Sequence, residues 1–301
     1  MTRGATIVAA LAMALAPIGA GAAPLKIVAT FTILADMVRQ VAGPHAEVVS
    51  LVGPGGDAHT FNPSPADAGK LTDADLIFAN GFGLDGWIAR LAASADFKGR
   101  LITASMDVTP REMTEAVGGV SRLVTDPHAW QDPRNGGLYI RAIEFALTEA
   151  DAPHTLDYRR AADALVADLD ALDEGTRKRL ASIVPERRKL ITSHDAFGYF
   201  GRAYGVELLA PEGISTDQEP SAAAVARLID QIRAEHIKAV FIENMGNPRL
   251  IETIRADTGI ATGGTLYSDS LSPPGGPAAS YLAMLRYNIE KFVTAMTAKA
   301  P

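Results

Sequence analysis

The chain has 301 residues, no cysteine, 48% apolar and 21% charged residues, and a formal charge of −7. That is length for about two domains at roughly 150 residues each, with too much apolar content for wholesale disorder. The acidic balance excludes a general nucleic-acid binder; the absence of Cys excludes disulfides, thiolate metal sites, Cys nucleophiles and lipid attachment at Cys, so a transition metal would have to be held by imidazole and carboxylate.

Residues 1–22 read as a secretory signal peptide. Arg3 supplies the positive start, Ile7–Ile18 is an apolar run broken only by Pro17, and Ala20-Gly21-Ala22 is a small-x-small cleavage site. The mature chain then begins at Ala23. No other stretch approaches a membrane span, so the expectation is a periplasmic protein that is not itself membrane-spanning.

From Ala23 the pattern is strand and helix in alternation. Strand-like runs at Leu25–Thr30, Glu47–Val52, Leu76–Asn80 and Arg100–Thr103 are separated by helical stretches such as Leu34–Ala42 and Pro65–Thr72. Near-continuous apolar strands between helices predict a buried parallel sheet. The residues from Pro110 to Thr125 read as a short connection without His. At His154–Ser182 the residues Leu165, Leu169, Leu172, Thr176, Leu180 and Ile183 recur at three- and four-residue steps, which predicts one long helix. After Pro185 the alternation resumes, with strand-like Lys189–Thr192, Val206–Leu209, Ala239–Glu243 and Ile260–Leu266 and helical Ser221–Glu235 and Pro248–Thr258. The fold class is therefore α/β: two βα lobes with parallel sheets (23–150 and 185–301), joined by one long rigid helix within 151–184.

Three of the six histidines stand in unusual settings. His59 lies in a Gly- and Pro-rich loop after the second strand, His128 in Asp126-Pro-His128-Ala-Trp, and His194 in Ser193-His194-Asp195 just after a strand. Ligands of open α/β sheets bind outside the carboxyl ends of strands, where His59 and His194 fall, one in each lobe. A lone loop histidine is commonly a surface residue, and the Pro-bracketed loops raise these three above that reading. His45, His154 and His236 have no such setting and read as structural or solvent-exposed. Among many acids Asp269, in Leu266-Tyr-Ser-Asp269-Ser-Leu past the last strand, is the best carboxylate candidate, although on local pattern alone a turn or cap aspartate is the better reading.

These segments resemble the zinc/manganese solute-binding proteins of bacterial ABC importers. Asp57-Ala-His59…Pro63-Ser-Pro65, Asp126-Pro-His128-Ala-Trp, Ser193-His194-Asp195-Ala-Phe-Gly-Tyr-Phe and Leu266-Tyr-Ser-Asp269-Ser-Leu are similar to that family's four metal segments. Asn80-Gly-Phe-Gly-Leu-Asp-Gly-Trp87, Gly213-Ile-Ser-Thr-Asp-Gln-Glu-Pro-Ser221 and Phe241-Ile-Glu-Asn244 add supporting matches in the same order. The resemblance implies His59, His128, His194 and Asp269 as metal ligands between two lobes, with Glu243, Glu219 and Asp195 as candidates for orienting the ligand imidazoles.

Three neutral imidazoles and one carboxylate suit tetrahedral Zn²⁺, whereas Mn²⁺ prefers oxygen-rich, higher-coordinate shells. In the family the third position is His or Glu; His194 favours zinc, and a bidentate Asp269 would open the site to manganese or iron. Many zinc members carry a His- and acid-rich loop before the second metal segment, and this chain does not. The implied function is capture of a divalent metal in the periplasm and delivery to the membrane permease of an ABC importer, by a monomer, without bond chemistry. Release would need movement of one ligand-bearing loop, and affinity should fall as pH drops below the ordinary imidazole value of ~6.5. The rival from another class is a secreted zinc-dependent hydrolase, which would need an open coordination position and a nearby base. The sequence has neither a His-Glu-x-x-His nor a Gly-x-Ser-x-Gly motif.

Overall fold

The computed structural model describes residues 23–117, 120–217, 220–235, 237, 239–246 and 248–298. The signal sequence at 1–22, Glu219 and His236 lie outside the described residues.

The first lobe runs β1 (Leu25–Ala29), α1 (Thr32–Ala42), β2 (Ala46–Ser50), α2 (Pro65–Thr72), β3 (Leu76–Ala79), α3 (Trp87–Ser94) and β4 (Arg100–Thr103). Its strands pair in parallel in the order β2-β1-β3-β4. The central strand β3, Leu76-Ile-Phe-Ala79, is buried along its whole length, as a strand covered on both faces must be. Ser64 and Asp67 close a capping box ahead of Pro65, which is why α2 starts where the sequence indicates.

The stretch after Pro110 departs from the expectation of a plain connection. It forms β5 (Arg111–Val117) and β6 (Val120–Asp126), an antiparallel hairpin in which Arg111 faces Asp126 across the ladder. The signal was faint: Gly118-Gly119 stands between the two runs in the sequence, a hairpin pattern, but the runs mix polar and apolar residues. Next come α4 (Pro133–Ala150) and α5 (Thr155–Ala181).

The second lobe contains β7 (Lys189–Ile191), α6 (Gly198–Tyr204), β8 (Glu207–Leu209), α7 (Ala222–Glu235), β9 (Ala239–Glu243), α8 (Pro248–Thr258), β10 (Ala261–Leu266) and α9 (Tyr281–Thr297). Its sheet is parallel in the order β10-β9-β7-β8.

Helix α5 has 27 residues, a length of about 40 Å at 1.5 Å per residue. Its first half is tied to α4 by Arg141 Nη2 to Asp163 Oδ1 at 2.7 Å. Its second half is tied to the other lobe by Arg177 Nη1 to the Ala203 carbonyl at 2.8 Å and Arg179 Nη2 to Glu290 Oε2 at 2.8 Å. The lobes also share one continuous apolar core that includes Ile27, Phe78, Ile143, Leu169, Phe197, Phe241 and Phe292. A smaller core, with Ile191, Ile229, Ile232, Val240 and Ile251, lies under α7 and α8. Parting the lobes widely would expose the larger core, at ~25 cal/mol for each Å² of apolar surface uncovered.

Candidate metal centre

His59, His128, His194 and Asp269 come together where the two lobes meet, with donor atoms all within 4.8 Å of one another. The Nε2 atoms of His59 and His128 are 3.1 Å apart, and those of His194 and His128 are 3.4 Å apart. Asp269 Oδ2 lies 3.1 Å from His194 Nε2 and 3.6 Å from His59 Nε2, and Asp269 Oδ1 lies 3.5 Å from His128 Nε2. Four donors around one ion at ~2.0–2.1 Å would be about 3.3 Å apart. The five short spacings of 3.1–3.6 Å bracket that value, while the whole set spreads to within 4.8 Å.

Each donor sits on a differently built support. His194, Glu243 and Asp269 follow or end β7, β9 and β10, so one sheet presents all three at the carboxyl ends of its strands. His59 stands on the long loop after β2. His128 follows the hairpin, in a tight turn ahead of α4. The Asn80–Trp87 segment holds both of these turns: Asn80 Nδ2 donates to the Pro127 carbonyl at 3.0 Å, and Trp87 Nε1 donates to the Ala58 carbonyl at 3.1 Å. Asn80 is itself fixed by Tyr139, whose hydroxyl donates to Asn80 Oδ1 at 2.7 Å. Asp85 accepts from Thr30 Oγ1 at 2.7 Å and from the Asn80 N–H at 2.6 Å.

The Asp269 loop belongs to the second lobe by sequence yet is stitched to the first. Trp130 Nε1 and Gln131 Nε2 both donate to the Ser268 carbonyl, at 2.9 and 2.7 Å. The Leu271 N–H donates to Thr32 Oγ1 at 2.8 Å, and the Gly55 N–H to Ser270 Oγ at 2.8 Å. His59, His128 and Asp269 thus share one framework, and His194 arrives from the other.

The imidazoles are oriented by acids. Glu243 Oε2 lies 2.6 Å from His194 Nδ1, and Glu243 Oε1 accepts the His194 backbone N–H at 3.0 Å. For His128 the acid is Asp126, which sequence reasoning missed: Asp126 Oδ1 is 2.8 Å from the ring Nδ1 and 2.9 Å from the backbone nitrogen. The signal was the acid two residues before a histidine in a Pro-centred turn, a spacing that returns the carboxylate to the ring. Asp195 has a different place. Its N–H bonds the Gly213 carbonyl, and burial raises its carboxyl above the ordinary value against the pull of Arg111. His59 has no acid on its second nitrogen among the described residues. Its loop is fixed instead by Asp57, whose Oδ1 accepts the His59 N–H at 2.8 Å and whose Oδ2 accepts from Thr216 Oγ1 of the other lobe at 2.6 Å.

Both carboxylate oxygens of Asp269 are fully buried and without a hydrogen-bond donor. A buried, undonated carboxylate is costly unless it faces positive charge. Here burial works to raise its pKa, and the facing His128 and His194 outweigh that and hold it well below 3.8. Reciprocally, burial works to lower His128, but Asp269 and Asp126 push it up to about 9. His194 also ends well above its ordinary value, where Glu243 and Asp269 overcome desolvation. A divalent cation would satisfy the same three acids while displacing the protons.

His45 and His154 lie outside this cluster. Their rings stack at 3.8 Å near the start of α5, with His45 Nε2 3.3 Å from Asp157 and His154 Nδ1 2.6 Å from Asp151.

Residues 27–295 match the protein-family description "Zinc-uptake complex component A periplasmic". The chain is 30% identical over 274 residues to the manganese-binding lipoprotein MntA of Halalkalibacterium halodurans, covering 91% of this chain and 89% of that protein. It is 32% identical over 275 residues to the iron ABC transporter substrate-binding lipoprotein MtsA of Streptococcus pyogenes serotype M1, covering 89% and 87%. Among solved structures, the periplasmic zinc binding protein TroA from Treponema pallidum superposes with a TM-score of 0.83 at 29% identity, over 91% of this chain and 100% of that one.

Proposed function

Since the chain belongs to the family described as zinc-uptake complex component A, periplasmic, we propose that it captures a divalent transition-metal ion on His59, His128, His194 and Asp269 and delivers it to the membrane permease of an ABC importer. The observation that carries this reading is the buried Asp269 carboxylate, undonated and ringed by three imidazole nitrogens at 3.1–3.6 Å. The family is a substrate-binding component and not an enzyme, so the hydrolase reading is set aside.

On this reading the protein acts in the periplasm. The signal-like residues 1–22 support that placement, and among the described residues no helix is long and apolar enough to cross a membrane. The organisation is a first lobe at 23–150, a linking helix within 151–184 and a second lobe at 185–301.

The cargo is zinc. Three nitrogens and one oxygen at tetrahedral spacing suit Zn²⁺, and the Irving–Williams order favours it over Mn²⁺ at a shared N/O site. A second reading, manganese or ferrous iron, is favoured by one observation: both Asp269 oxygens face the imidazoles, which would permit bidentate, five-coordinate binding. The names of the curated relatives, manganese- and iron-binding, point the same way. Competitive titration of the metal-free protein with zinc against manganese separates them. Zinc is expected to displace manganese completely at equal concentration; manganese retained at parity assigns the cargo to the second reading.

Release follows from how the donors are mounted. Since α5 and the shared core resist wide opening, the His59 loop and the His194 support shift against each other locally. The Thr216–Asp57 hydrogen bond ties the His59 loop directly to the second lobe. Thr216→Val is therefore expected to speed zinc dissociation to a chelator about fivefold, the worth of one hydrogen bond of ~1 kcal/mol. Stopped-flow with Trp87 fluorescence reads it, because Trp87 bonds the His59 loop. An unchanged off-rate would show that this bond does not hold the site closed.

A further inference from the structure

We propose that Arg111, on the hairpin, is a positioning residue for metal capture: through Asp126 it fixes the orientation of the His128 ring. This rests on the metal-binding reading above.

The chain of contacts is short and largely enclosed. Arg111 Nη1 donates to Asp126 Oδ2 at 2.9 Å, while Asp126 Oδ1 takes both the ring and the backbone nitrogens of His128. The Asp126 side chain is wholly buried, and that of Arg111 is 25% exposed. A wholly buried carboxylate is held in place by a charged partner. With Asp126 held as acceptor at Nδ1, the His128 ring carries its proton there and turns the Nε2 lone pair to the centre.

Three features keep the guanidinium in place. Arg111 and Asp126 are direct partners in the β5–β6 ladder, so the hairpin register sets their separation. The Tyr199 hydroxyl accepts the Arg111 N–H at 2.8 Å and donates to the Asp126 carbonyl at 3.2 Å, clamping both strand ends. The start of α6 leaves the room: a Cβ on Gly198 would lie 2.8 Å from Asp126 Oδ2 and collide with the Arg111 guanidinium. Only glycine lets the helix backbone pass that close to the pair.

The other acid-backed ligand is built differently. Among the described residues no Lys or Arg pairs with Glu243, whose carboxylate faces His194 with its backbone and ring nitrogens alone. The two imidazoles therefore do not rest on equivalent acids. Of these two imidazoles, among the described residues, His128 alone is connected through a cation, Arg111, to an element outside both sheets.

The test is a set of variants of the full chain measured with zinc and with Co²⁺: Arg111→Met, which keeps the stem; Arg111→Lys, which keeps the charge; Asp126→Asn; and the Arg111→Met/Asp126→Asn pair. Arg111→Met is expected to raise the zinc Kd by 10- to 100-fold, the usual range for a residue that orients a ligand. Arg111→Lys should recover part of the loss. The double variant should bind no more weakly than Asp126→Asn alone, because both act through one bond. The visible spectrum of the Co²⁺-loaded Arg111→Met protein should shift, which a residue that only stabilises the fold would not cause. Wild-type Kd and spectrum in Arg111→Met, or losses that multiply in the double variant, overturn the proposal. Failure of the wild-type protein to bind zinc, or equal binding by His128→Ala, would instead overturn the metal-binding reading itself, and Arg111 with it.

Discussion

Replacing His128 with Ala is expected to weaken zinc binding by about three orders of magnitude. His128 lies close to all three other donors: its Nε2 is 3.1 Å from that of His59, 3.4 Å from that of His194 and 3.5 Å from Asp269 Oδ1. Removing it takes away one donor and leaves Asp126 buried without its imidazole partner. The loss of one of four metal bonds acts on the bound state alone, and three factors of ten in Kd correspond to ~4 kcal/mol; Asp126 keeps Arg111, and the cost of its lost bond falls on the metal-free and metal-bound protein alike. The metal-free variant will also be less stable, so the decisive readout is the difference in melting temperature with and without zinc. That difference should collapse in His128→Ala, since ligand stabilisation follows the ratio of free metal to Kd. His154→Ala is the control. It breaks the stacked pair and the bond to Asp151 yet should leave the zinc-induced rise intact. Equal loss in both variants would overturn the ligand assignment.

The second large effect is on pH. Burial alone would lower His128, but Asp269 and Asp126 push it up to about 9, and His194 is raised as well. Zinc must displace those protons. Affinity should therefore go on climbing with pH above ~6.5, where unperturbed imidazoles would already have levelled off. At pH 7 the His128 proton therefore competes with zinc for Nε2. Calorimetric titrations in buffers of different ionisation enthalpy should count protons released at neutral pH. Zero release would refute this account.

The same shifts act on the stability of the metal-free protein with the opposite sign. His128 is raised in the folded state, so its contribution is fully present below ~6.5 and is lost as pH rises through about 9. Asp269 is depressed, so its contribution is present above ~3.8 and is lost as pH falls through its folded value. The metal-free protein should thus melt at lower temperature at pH 9 than at pH 6, while the gain from zinc grows over the same interval.

Much of the secondary structure was legible because local rules were obeyed. The strands at Arg100–Thr103 and Ala239–Glu243 and the helices at Pro65–Thr72 and Pro248–Thr258 have the predicted limits, since Pro starts and apolar runs mark them without tertiary help. The hairpin was not read, although Gly118-Gly119 stands between its strands in the sequence. Those strands mix polar and apolar residues, so the expected apolar alternation is weak. Of the three acids the resemblance offered, Asp195 does not serve His194, because neighbours on an extended chain point apart. Glu243, distant in sequence, lies one strand over and reaches the ring.

The sequence by itself determined which donor chemistries were available and where the rigid loops would fall. Without cysteine, a transition metal could meet only imidazole and carboxylate, and Pro- and Gly-bracketed turns after strands are local properties of the chain. Only the tertiary structure decided which acid serves which imidazole, that Asp269 is fastened to the lobe opposite its own strand, and that a hairpin arginine backs His128. Those relations join residues far apart along the chain. They depend on sheet order, strand register and the close approach of helix backbone at Gly198, none of which is written in any single stretch of residues.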